Sequence, residues 1–487
     1  MPTEVTVDTP SGPVVGRRGD AVLRFGGVPY ARAERWGAPE PYVWSEPFDA
    51  TRPGAAPPQT VGGLDLVPDM VPATQAEACL TAEICTPFGR SGTEPDLDGS
   101  LPVLVWVPGG SYRIGAASLA TYDAAHLAAH AVVVVGLNYR LGALGWLAAP
   151  GVPSNLGLRD LRAAIAWLRA NVSAFGGDPD RIVLMGESAG SGCIAHLLAT
   201  ASPVGHGAGD VPVAGAILQS GAPAGTLDAA TASWVGEQFL GAAGVGAVDD
   251  LRTVPVEQIL TAQEQTVEGS LAKVGMMPFH PWIDDDLLTE PAHRAVLPRI
   301  PLVVGTTAHE MELFRDQVPV LPEDIAVMFL AGKATGLGVT DEARVRAALD
   351  ACGGDLVEAV ADLELHLPNE LLARAHRARG NDVFRYRFNW EAPVRRACHA
   401  LDLPFTFGGL DVSTWREFAG ADGPRAADAD VLSRRMRQAW TSFAADGVPR
   451  DDTTGAWPEG ELVGLGIDAP IGDDAVSDRL RVWLGEA

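Results

Sequence analysis

The pentapeptide Gly186-Glu187-Ser188-Ala189-Gly190 sets a serine hydroxyl between two glycines, a spacing suited to covalent acyl transfer. It follows the apolar run Arg181 to Met185 and precedes small residues that open a helix, so the serine is expected on a strand-turn-helix elbow. The glycines matter because Cβ atoms would clash in so tight a turn, and the strained backbone pushes the hydroxyl out above a sheet. A Gly/Ser turn of this pattern also arises by chance; the flanking strand and helix set this one apart.

A hydroxyl attacks poorly until a base takes its proton, and a histidine base needs a carboxylate to hold its tautomer. On such an elbow the acid and the base follow the serine in the chain, the acid just after a late strand. Glu310 answers to that, a few residues past Pro301-Leu302-Val303-Val304-Gly305, against the plain alternative of an exposed loop carboxylate. Ten histidines compete for the base. His399 stands in a small-residue, loop-like setting before Leu403-Pro404-Phe405, whereas His196 rides the helix leaving the elbow and is expected to point away. His309 beside Glu310 suggests a zinc H-E-x-x-H helix, but Leu313 occupies the second ligand position. Residue chemistry alone therefore ranks His399 first without selecting it.

The oxyanion of an acyl-transfer intermediate needs donors, supplied by the N–H after the nucleophile and by a glycine-rich loop after an early strand. Ala189 and the loop Pro108-Gly109-Gly110-Ser111 stand at those places. Asp284-Asp285-Asp286 reads as a solvated loop rather than a cation site, and Gly241 to Gly246 lacks the strand and spacing of a dinucleotide loop.

These residues need a sheet to hold them. Leu101 to Val107, Val132-Val133-Val134-Val135 and Arg181 to Met185 are short, apolar and rich in β-branched residues, as buried parallel strands are. Between the last two, Leu161, Ile165, Leu168 and Val172 recur at helical spacing from Leu158 onward, giving a strand, a crossover helix and a strand. Further strands are expected at Ala214 to Leu218 and Pro301 to Val304. The fold class is thus α/β: a mostly parallel, twisted central sheet flanked by helices. Residues 1–487 are expected to form a single catalytic domain, with helical cap excursions at about 225–275 and 320–380. A polar loop at Ser91 to Ser100 and a loose region near Gly420 to Asp430 complete the organisation.

Thirty-six basic against sixty-two acidic residues leave a net charge of −26, which repels nucleic acid and anionic membrane and favours neutral or cationic ligands. The N-terminus lacks the basic start and apolar core of a signal peptide, and no stretch reaches membrane-spanning length, so a cytoplasmic location is expected. Five scattered cysteines without C-x-x-C spacing predict free thiols, mostly buried, rather than zinc ligands or a redox couple.

Motifs spread over nearly the whole chain resemble the type-B carboxylesterase family, the group of cholinesterases and bacterial para-nitrobenzyl esterases. They begin at Ser11 to Gly16 and Phe25 to Ala31, and continue through Asn138-Tyr139-Arg140-Leu141-Gly142 and Phe175 to Pro179. Beyond the elbow come Gln219-Ser220-Gly221, Gly305 to Glu310, His399-Ala400-Leu401-Asp402-Leu403-Pro404 and Trp440 to Pro449. The resemblance implies the α/β-hydrolase fold, with Ser188 as nucleophile, Glu310 as acid and His399 as base. It also implies oxyanion donors at the N–H groups of Gly110, Ser111 and Ala189, supported by Gly109, and a field-shaping role for Glu187.

Departures from the pattern matter. Pro108 stands where the family has His or Tyr, and Ser111 replaces a glycine, so its side chain adds bulk beside the alcohol pocket. Cys79 keeps a disulfide position whose partner position holds Pro57, in keeping with a reducing compartment. His309 replaces the family's Asp. The expected function is hydrolysis of a small-molecule carboxylic ester through an acyl-enzyme, without metal or cofactor. Alternatives are an amide, carbamate or thioester hydrolase with the same triad, or a non-catalytic binding protein on this fold, which the filled triad positions disfavour. Nothing in the sequence sets the natural substrate or the oligomeric state.

Overall fold

A computed structural model describes residues 4–60, 66–88, 98–200, 211–468 and 470–486. Eleven strands form one path across its main sheet: β1 (Glu4–Thr9), β2 (Gly12–Arg18), β3 (Val22–Pro29), β4 (Thr81–Pro87), β5 (Leu101–Val107), β6 (Val133–Leu137), β7 (Gly177–Glu187), β8 (Gly215–Gln219), β9 (Leu302–Thr307), β10 (Val383–Phe388) and β11 (Leu462–Leu465). Their spatial order is β1-β2-β3-β4-β6-β5-β7-β8-β9-β10-β11, and a two-residue strand at Phe48–Asp49 adds to β2. From β6 to β11 every pairing is parallel, whereas the first four strands join antiparallel. Every residue of β5, β6 and β8 is buried, which is why these strands read as continuous apolar runs instead of alternating ones.

The crossover helix α1 (Leu156–Asn171) buries Leu158, Leu161, Ile165 and Leu168 at the expected spacing, and Gly176 in the left-handed region turns the chain into β7. Helix α2 (Ala189–Ala199) leaves the elbow and is buried almost throughout. The stretches expected to be helical hold α3 (Ala229–Ala242) and α4 (Val256–Val274), then α5 (Glu323–Thr335), α6 (Glu342–Ala351), α7 (Leu356–Ala361) and α8 (Leu367–Ala378). Gly241 to Gly246 covers the end of α3 and the turn after it.

The region from Gly420 to Asp430 is not loose as expected. A long helix, α9 (Ala426–Asp446), begins inside it, because Ala429, Leu432, Met436, Ala439, Trp440 and Phe443 give it a buried stripe. Most of the polar loop expected at Ser91 to Ser100 lies outside the described residues. Large core clusters cover the two faces of the sheet, and a smaller one joins α5, α6 and α7 to a C-terminal helix, α10 (Ala475–Leu484). Among the described residues, no helix is long and apolar enough to cross a membrane. All five cysteines are free, and only Cys352 is not fully buried.

Candidate active site

At the end of β7 the backbone of Ser188 adopts φ 55° and ψ −126°, a strained conformation costing about 1–3 kcal/mol that the neighbouring strands must hold. Two features hold it. Ser188 N–H donates to the Gln219 carbonyl at the end of β8, and the Ser188 carbonyl accepts from Gly192 inside α2. Gly190 lies so close to β5 that a Cβ there would collide with the Val107 carbonyl oxygen and stand 2.8 Å from the Pro108 carbonyl carbon. The glycines of the elbow are thus required by close approach of two backbones, as the motif suggests.

The loop after β5 packs on the same elbow. A Cβ on Gly109 would lie 2.6 Å from the Glu187 carbonyl oxygen and 3.0 Å from Ser188 Cβ. Ser111 and Tyr112 both take left-handed backbone, with φ 55° and 59°, and this coils the loop around the serine. Tyr139 OH donates to the Pro108 carbonyl at 3.0 Å, and Gln59 exchanges hydrogen bonds with both backbone groups of Gly115. Arg140 forms a buried ion pair with Asp160 of α1 at 2.6 Å. Asn138 accepts from Ala117 N–H at 2.8 Å. Asn138 and Tyr139 therefore brace the loop, while Arg140 ties the same motif to α1. No role for Tyr139 follows from residue type alone, because a buried tyrosine ordinarily reads as core.

Glu310 starts a 3-10 turn directly after β9 and is fully buried. Its Oε1 accepts from Thr307 N–H at 2.8 Å, and its Oε2 accepts from His399 Nδ1 at 2.6 Å. The histidine's tautomer is thereby set, leaving Nε2 to face the other way. That nitrogen lies 3.2 Å from Glu187 Oε1, an oxygen without an aligned donor, so their contact is one of charge. Ser188, Gly109, Gly110, Ser111, Glu187 and His399 line one cavity of about 50 Å3, completed mainly by apolar side chains including Leu313, Phe314 and Leu403. Ala189, the first residue of α2, places its N–H at a helix start, where backbone donors have no intrahelical acceptor.

The third acid at the site is one the residue reading did not single out. Asp402 is fully buried and accepts from Gln219 Nε2 at 2.9 Å. Burial pushes its carboxyl up to about 6, aided by the charge of Glu310. Burial likewise raises Glu187 to about 8 against the pull of His399. Burial alone would lower His399, but Glu187 and then Glu310 carry it up to about 9. A single imidazole thus sits among three buried carboxyls. The spacing of Asp402, three residues after His399, is the only signal the sequence carries for it.

The competing candidates fall elsewhere. His196 is buried on α2 with Nδ1 2.6 Å from the Gly192 carbonyl, and burial holds it down near 4. His309 lies between Glu358 (2.6 Å) and Glu391 (3.3 Å), which gives the replacement next to Glu310 a structural account: it ties the acid's turn to α7. Asp284 caps its own loop, accepting from the N–H groups of Asp286, Leu287 and Leu288. Among the described residues, no group of three His, Cys, Asp or Glu side chains is arranged to hold a metal ion.

The profile of the Carboxylesterase family matches residues 3–326 and 341–462. The chain belongs to the carboxylesterase family. It is 34% identical over 495 residues to the para-nitrobenzyl esterase of Bacillus subtilis, covering 94% of this chain and 92% of that one. It is 32% identical over 493 residues to the phenmedipham hydrolase of Pseudarthrobacter oxydans, covering 94% and 93%. A solved thermophilic PNB esterase superposes with a TM-score of 0.85 at 31% identity, over 98% of this chain and 99% of that one. This carboxylesterase accordingly has the α/β-hydrolase fold and hydrolyses carboxylic esters of small molecules.

Proposed function

We propose that Ser188 is the nucleophile, His399 the general base and acid, and Glu310 the carboxylate that orients it. The observation that carries this reading is the chain of contacts: a serine on a strained elbow shares a cavity wall with a buried histidine, whose far nitrogen is held at 2.6 Å by a buried glutamate. His399 takes the serine proton as the hydroxyl attacks the ester carbonyl, and the N–H groups of Gly110, Ser111 and Ala189 receive the oxyanion. On collapse, His399 gives its proton to the leaving alcohol and an acyl-Ser188 ester remains. Water, deprotonated by the same histidine, then releases the acid and restores the serine.

We also read residues 1–487 as one catalytic domain in which α3 to α8 form the excursions around the sheet, a reading supported by the unbroken strand path from Glu4 to Leu465. Five free thiols agree with a reducing cytoplasm, and the charge of −26 with neutral or cationic esters and against nucleic acid. The test is hydrolysis of p-nitrophenyl esters by the parent and Ser188→Ala, with mass spectrometry after a fluorophosphonate probe. Loss of turnover and of a Ser188 adduct is expected; undiminished turnover, or an adduct elsewhere, refutes the assignment. Parallel assays with amide, carbamate and thioester analogues of one substrate fix the bond preference.

A further inference from the structure

Behind the active-site cavity lies a second one, of about 160 Å3. It has a polar mouth, where Arg24 pairs with Asp123 at 2.7 Å, and an apolar depth that includes Ile84, Trp106, Val134 and Phe407. Its volume is close to that of an apolar cavity able to hold a benzene ring. Among the described residues, Tyr122 alone lines both cavities. Its ring is buried and packs against both Trp106 and Phe407, with centroids 5.0 Å and 5.4 Å away, while those two rings meet edge to face at 4.8 Å. The short turn that carries it is pinned by Trp415, which donates to Thr121 Oγ1 at 2.6 Å. Tyr122 is therefore a fixed partition.

The side of the ester it faces follows from what shares its cavity wall. Tyr122 lines the active-site cavity together with Glu187, Ser188 and His399, and burial, then the charge of Glu187, hold its hydroxyl far above the usual range. Glu187 Oε1 is in turn 3.2 Å from His399 Nε2, the nitrogen that must hand a proton to the departing alcohol. Resting on the triad reading above, we propose that Tyr122 determines specificity by setting the size limit of the ester's alcohol part, and that the cavity behind it is a latent subsite for an aryl or alkyl group.

The test compares kcat/KM for ethyl, butyl and 2-phenylethyl acetate in the parent, Tyr122→Ala, Tyr122→Leu and Tyr122→Phe. The ratio of 2-phenylethyl to ethyl acetate is expected to rise about ten-fold or more in the Ala and Leu variants, the scale on which a pocket senses a few added carbons. In Tyr122→Phe, which keeps the ring, it stays at the parent value. Should the Ala variant fail to fold, the Leu variant carries the comparison. An unchanged ratio in a folded Ala or Leu variant overturns the proposal, as does a change confined to the acyl-length series of p-nitrophenyl esters. Inhibition by 2-phenylethanol, which has no bond to cleave, is expected to tighten in the same variants; it judges the partition even if Ser188→Ala shows the triad reading to be wrong.

Discussion

Replacing Glu187 by Gln keeps the side chain's shape and removes one of the charges that flank His399, so it isolates what that charge does to the base. Unit charges 3.2 Å apart attract by about 5 kcal/mol at an effective dielectric of about 20. This is a ceiling, since burial keeps Glu187 itself raised to about 8 and therefore partly protonated near neutral pH. An opposite charge at such range moves a pKa by about one to three units, each worth about 1.4 kcal/mol. The sign follows from the role proposed for His399. Only the neutral imidazole can take the Ser188 proton, and its pKa is raised, so kcat/KM falls as pH drops through that raised value. Glu187→Gln lowers the pKa and moves the acid limb of the profile at least about one unit toward acid. At a pH below both limbs the variant then keeps about ten-fold more of its own plateau activity than the parent does. The assay is kcat/KM for one p-nitrophenyl ester from pH 5 to 10 in both proteins, with circular dichroism to confirm folding. A limb that stays in place or moves toward alkali refutes the reasoning.

Glu310→Gln is expected to cut kcat by about 10³–10⁴ with KM little changed, since the amide cannot stabilise an imidazolium at Nδ1; a loss under ten-fold, measured with the same ester, refutes Glu310 as the orienting acid. Gly190→Ala forces a methyl into the Val107 carbonyl oxygen and is expected to cost about 1–3 kcal/mol or more, read as a lower urea midpoint. A parent-like midpoint would show that α2 can back away from β5. Ser111→Gly removes a side chain from the cavity wall at a left-handed position. It is expected to raise turnover of tert-butyl acetate relative to ethyl acetate about ten-fold without lowering thermal stability, and an unchanged ratio would show that Ser111 is not what excludes bulky alcohols.

What could be read from the residues depended on how local the signal was. The strand before Ser188, the glycines around it and the helix after it are contiguous, so a short stretch of sequence carries the elbow whole. Most of the parallel strands were legible because both faces are covered, which makes each a continuous apolar run; β1 to β4 lie at the antiparallel end of the sheet, β10 mixes Arg385 and Arg387 into its run, and β11 spans only four residues, so these escaped that criterion. The helix α9 was hidden for a similar reason. Its opening, Ala426-Ala427-Asp428, holds no large apolar residue and follows Gly423-Pro424, and the buried stripe that makes it a helix appears only farther on.

The site was legible where one residue type has few competing uses and illegible where function is a matter of company. A buried carboxylate beside a histidine is chemistry, but the same letter in a loop is ordinary, so Asp402, marked in the sequence only by its spacing from His399, takes its meaning from Gln219 on β8, which reaches it across 183 residues. Tyr139 and Tyr122 are a still harder case. Both are buried aromatic residues, which by type alone belong to the core, and what separates them from core residues is the object each touches: a loop carbonyl for one, two cavities for the other. The three carboxyls show the same limit in its energetic form. The raised pKa values of Glu187 and Asp402 come first from burial and only then from neighbouring charges, and burial is a property of the whole packed sheet edge that no spacing between letters encodes. The nucleophile's elbow is therefore written in the sequence, while the electrostatic setting that tunes its base exists only once β7, β8 and β9 and the loop carrying His399 have come together.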